Sequence, residues 1–96
     1  MMKSLQDAFY NWLTIQVVAD ARPNDRAAQE TASFFREILK NDFRVANVEV
    51  QKEDAMYLIH YEKEEQQKTM RFPAELIEAL LEQIENEPDK YMNYPM

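Results

Sequence analysis

The sequence contains no glycine, no cysteine and a single histidine. Without glycine there is no P-loop, no dinucleotide-binding G-x-G-x-x-G, no G-x-S-x-G nucleophile elbow and no EF-hand turn. Each of those motifs needs a backbone conformation or a close backbone approach that only glycine supplies cheaply. Without cysteine there are no disulfides, thiolate nucleophiles, zinc fingers or iron–sulfur clusters, and a reducing, cytoplasmic setting is expected. One histidine cannot build a two-histidine metal site, so no metal and no cofactor is expected. Long apolar runs are missing too. The opening "MMKSLQDAFYNW" reaches Asp7 before any such run, and neither a signal peptide nor a membrane span is expected.

Positive charge is also scarce where it would matter for nucleic acid. The net charge is −7 over 96 residues. Lys3, Arg22, Arg26, Arg36, Lys40 and Arg44 balance Asp7, Asp20, Asp25, Glu30, Glu37 and Asp42, so the excess acid lies entirely beyond residue 47. Such a surface repels phosphate backbones, and no nucleic-acid partner is expected.

What is present is enough apolar material for one packed core, 46% of residues, in a single domain spanning 1–96. Ser4 and Asp7 suit a helix start. Leu5, Ala8, Phe9, Trp12, Ile15 and Ala19 then recur at helical spacing, widened by a Phe9–Leu13–Val17 ridge. Pro23 should end that helix. Asn24 is the expected N-cap of a second, with Ala28, Ala32, Phe35 and Leu39 as its ridge and Asn41 as a left-handed terminator. Together, residues 4–41 read as a helical hairpin.

The period then changes to two. Ala46, Val48 and Val50 alternate with Asn47, Glu49 and Gln51; "AMYLIHYEK" and "KTMRF" follow as second and third strands within residues 44–72. A last helix is expected over 73–87, opening on Pro73, with Ile77, Leu80, Leu81 and Ile84 as its core face. Residues 88–96 form an apolar tail. The order α-α-β-β-β-α predicts an α+β two-layer domain, its helices packed on one face of a three-stranded antiparallel meander.

Loop parity predicts which face of the middle strand is buried, because a one-residue slip reverses every side chain. Four-residue loops "KEDA" and "EEQQ" pair 50 with 57, 48 with 59, 61 with 70 and 59 with 72. Both then send Tyr57, Ile59 and Tyr61 to the core and Met56, Leu58 and His60 to the other face.

Three functional readings remain. Met56, Leu58 and His60 form a protein-interaction surface, covered by the tail residues Tyr91, Met92 and Tyr94 or by a second copy of the chain. In the second, Glu75, Glu78, Glu82 and Glu85, spaced three, four and three, present an acidic helix face to a basic protein partner. The third is a small-molecule binder or enzyme using His60 with Tyr57 or Tyr61, or using His60 as a general base next to Glu49 or Glu62. Ser4 and Ser33 read as helix or cap residues and supply no triad.

The glycine-free chain, with "MYLIHYEKEEQQ" and the terminal "NYPM", resembles small cytosolic proteins of Bacillus-type bacteria that have no assigned activity. That resemblance implies no catalytic residue and no cofactor. The expectation is a non-enzymatic acidic domain that works through protein–protein contact, with self-association as one form of it.

Overall fold

The computed structural model describes residues 4–86. Helices α1 (Leu5–Ala21) and α2 (Arg26–Asn41) are followed by strands β1 (Val45–Glu53), β2 (Met56–Lys63) and β3 (Gln66–Pro73) and by helix α3 (Ala74–Asn86). The strands form one antiparallel sheet in the order β1-β2-β3. The helices lie on one of its faces, as the periodicity predicted.

Ser4 caps α1 by accepting the Asp7 amide at 3.1 Å. The cap of α2 is Asp25, not Asn24: one of its oxygens accepts the Ala28 amide at 3.1 Å while the other takes Arg22 Nε at 3.2 Å. Asp25 wins because its ionised carboxylate serves both donors at once. At the other end α2 runs through Asn41, and the left-handed residue is Arg44, at φ 56°. Pro73 is the last residue of β3 instead of the first of α3. Lacking an N–H, it suits the end of an edge strand. The next amide, Ala74, donates to the Ala55 carbonyl at 2.7 Å, fastening the start of α3 to the β1–β2 turn.

The core has two parts. Between helices and sheet, Phe9, Trp12 and Leu13 meet Leu39, Val45, Ile59, Tyr61, Phe72 and Ile77. Phe9 packs on Tyr61 with ring centroids 4.8 Å apart, and Tyr10 reaches Phe72 at 6.2 Å. Beyond the sheet, Val18, Ala19, Ala28, Ala32 and Ile84 join the three helices to one another. Small residues here let helix axes approach, and Gln29 Nε2 donates to the Ala19 carbonyl across the gap at 2.7 Å.

The register differs from the expected one by two residues. Val50 pairs with Ile59 and Lys52 with Tyr57; across the other edge Tyr57 pairs with Phe72 and Ile59 with Met70. Both turns have two residues, Asp54–Ala55 and Glu64–Glu65, where four were expected. An even change preserves parity, so Tyr57, Ile59 and Tyr61 face the helices, as expected. Near the start of β1 an extra residue breaks the ladder between Ala46 and Glu49, with Asn47 left-handed at φ 52°. This bulge reverses the facing before it. Val45 is consequently in the core and Ala46 in solvent, the reverse of simple alternation.

Glu64 and Glu65 sit at φ 55° and 63°, the backbone of a hairpin turn that favours Asn-Gly. A left-handed non-glycine residue costs on the order of 1–2 kcal/mol. The double substitution Glu64→Asn with Glu65→Gly should raise unfolding free energy by roughly 1–2 kcal/mol. Urea titration checks this, and an unchanged midpoint would refute the strained-turn assignment.

Candidate functional site

The helix-free face of the sheet is built in four cross-strand rows. Glu53, Met56 and Pro73 make the first; Gln51, Leu58 and Arg71 the second; Glu49, His60 and Thr69 the third; Ala46, Glu62 and Gln67 the last. Met56, Leu58, His60 and Glu62 are partly buried, while their neighbours on β1 and β3 are exposed. Alternation alone puts them here, once the even side of β2 is denied the core.

His60 is clasped from both sides. Its Nε2 lies 3.2 Å from Gln51 Oε1 and its Nδ1 lies 3.1 Å from Thr69 Oγ1. An amide oxygen only accepts, so this network assigns a proton to Nε2, and the threonine hydroxyl suits Nδ1 in either protonation state. One row further, Glu62 Oε1 accepts from Asn47 Nδ2 at 2.8 Å and, weakly, from Gln67 Nε2 at 3.5 Å. Both central polar residues thus tie β2 to the two edge strands.

Tyr57 and Tyr61 lie on the opposite face from His60, so the sheet itself separates the three. Tyr61 is buried under Phe9, and burial raises its phenol pKa. Tyr57 donates its hydroxyl to Glu78 Oε2 at 2.6 Å, and Lys52 Nζ reaches the same oxygen at 2.7 Å. The ammonium also lies 5.5 Å from the centre of the Tyr57 ring. Burial first, then the Glu78 hydrogen bond and charge, push the Tyr57 phenol up to about 12. The hydrogen bonds from Lys52 and then Tyr57 hold Glu78 below the usual carboxylate range, against the opposing effect of burial.

The glutamate row on α3 is therefore split. Glu75, Glu82 and Glu85 are exposed, whereas Glu78 turns to the sheet. The three-residue constellation of Lys52, Tyr57 and Glu78 was not visible in the sequence. With four-residue loops Lys52 falls inside a turn; a two-residue turn puts it directly opposite Tyr57, on the same face. The tail residues Tyr91, Met92 and Tyr94 lie outside the described residues. Among the described residues no three acidic or histidine side chains converge as a metal site, and no helix is long and apolar enough to cross a membrane.

Comparison with family models, curated proteins and solved structures returns no match to this chain. The site therefore rests on its own geometry.

Linkage gives the Tyr57–Glu78 pair a pH signature. Glu78, with a lowered pKa, contributes stability above the ordinary value of 4.5 that is lost as pH falls through the folded-state value. Tyr57, with a raised pKa, contributes stability that is whole below 10.0 and disappears as pH rises towards about 12. Lys52 is about half exposed, at 48%, and its share is screened. Tyr57→Phe should cost about 1–2 kcal/mol at neutral pH and flatten the alkaline arm of the stability profile. Denaturant melts from pH 8 to about 11 decide this, since equal alkaline losses in both proteins would assign the arm to other groups.

Proposed function

We propose that this chain is a small non-catalytic contact module whose helix-free sheet face engages a second copy of itself. The carrying observation is the one-sided architecture. The three helices of the described residues share one face, and Met56 and Leu58 are left on the other, in the middle of a surface that none of those helices covers. The clasp on His60 supports a structural part for that residue, because both ring nitrogens are already committed to neighbouring strands.

The charge pattern favours self-recognition. On this face β1 is acidic, through Glu49 and Glu53, while β3 carries Arg71. Turning one copy over about the axis of β2 lays its β1 across the other's β3. Gln51 then opposes Arg71 of the partner subunit, and Glu49 and Glu53 flank it. Leu58 packs on Leu58 of the partner subunit near the axis.

Area sets the strength. Three strands of about 26 Å, spaced by ~4.8 Å, give a flat footprint of roughly 360 Å². A standard stable interface takes about 800 Å² from each partner. A dimer through so small a face is weak and reversible.

Sedimentation equilibrium between about 20 µM and 1 mM should show a concentration-dependent rise in mass. Leu58→Arg should weaken the association by at least about tenfold while leaving the circular dichroism spectrum unchanged. A strictly monomeric protein at 1 mM, or a Leu58→Arg dimer as strong as the wild type, would end this reading.

A further inference from the structure

The helix layer stops short of one sheet edge and leaves a groove. Val50 faces the helices, directly opposite the fully buried Ile59, yet is 40% exposed. Trp12 and Val17 of α1 and Leu81 of α3 line the space above it, about 520 Å³, together with Asp20 and Glu78. The groove is open along its length rather than enclosed. An enclosed pocket suits a small molecule that is mostly buried, whereas an open apolar groove suits side chains carried on a peptide.

Charge narrows the occupant. The charged groups lining the groove, Asp20 and Glu78, are both acidic; Lys52, at its edge, offsets the charge of Glu78, so Asp20 carries most of the attraction. Lys52 and Tyr57 use only Oε2 of Glu78, and Asp20 takes the Gln16 amide through Oδ1 alone, at 2.9 Å. Among the described residues, each carboxylate therefore keeps an oxygen for an incoming cation.

We infer that this groove docks a basic amphipathic segment of a partner protein, its aliphatic anchor against Val17, Val50 and Leu81 and its lysine or arginine at Asp20 and Glu78. The groove lies on the opposite side of the sheet from the self-association face, and neither reading depends on the other.

Trp12 is the only tryptophan, so its emission reports directly on the groove. The probes are three capped synthetic helical peptides of one length: a leucine/lysine amphipath, its leucine/glutamate counterpart and a serine/lysine version. Only the leucine/lysine peptide should give a saturable emission change. Asp20→Asn with Glu78→Gln should weaken it by about tenfold or more, and Val50→Lys should do the same. Asp20 and Val50 are exposed, so single substitutions there test the site even if the Glu78 variant loses its fold. Leu58→Arg should leave peptide binding untouched. Equal binding of either control peptide, no saturation at millimolar peptide, unchanged affinity in the Asp20 and Val50 variants, or loss of binding in Leu58→Arg would each overturn the inference.

Discussion

Register is the constraint on which the rest of this protein depends. β2 is paired along both edges, and its two faces have nothing in common: Tyr57, Ile59 and Tyr61 are buried, Met56, Leu58 and His60 are not. A slip of one residue against either neighbour would exchange the two sets. The register is held by two turns with no glycine in them. Asp54, Glu64 and Glu65 take left-handed backbone at about 1–2 kcal/mol each. Burying a large apolar side chain contributes roughly 1.5–3 kcal/mol, and β2 alone buries three. Tertiary packing therefore imposes the turns on a local sequence that resists them.

The same balance explains what could be read from the sequence and what could not. The helices, the three strands and the buried side of β2 were legible because they follow apolar periodicity, which packing enforces. Loop length was not. "KEDA" and "EEQQ" carry no Asn-Gly or Gly-Gly signal to announce two-residue turns, so four residues was the natural reading. The error was even, which preserved the faces and displaced every pairing. It also hid Lys52, whose meeting with Tyr57 and Glu78 exists only in the true register. Asn24 and Asp25 are adjacent and both competent caps; the choice fell to Arg22, a partner that capping rules do not weigh. The bulge at Asn47 had a trace in the sequence, since asparagine tolerates the left-handed region better than most residues.

Polar groups on the two sheet faces do different work. On the open face, His60 donates to Gln51 on β1 and meets the Thr69 hydroxyl on β3, while Glu62 accepts from Asn47 and Gln67, so both residues tie β2 to its two neighbours around Met56 and Leu58. On the helix side, Glu78 draws Lys52 and Tyr57 together and fastens α3 to the β1–β2 hairpin. That link works with the Ala74 amide on the Ala55 carbonyl, one turn away.

The acid excess gains a structural meaning from this arrangement. Had Glu78 shared the exposed row with Glu75, Glu82 and Glu85, like charges would have met at every turn of α3, each pair costing a few tenths of a kcal/mol. Drawing Glu78 inward relieves that row and neutralises one of its charges with Lys52. Glu75, Glu82 and Glu85 stay on the outer surface of α3, while Asp20 and Glu78 border the groove beside Val50. The open sheet face, by contrast, carries both signs on opposite edges. The two surfaces therefore differ in charge as well as in side, mixed on the open face and acidic beside Val50.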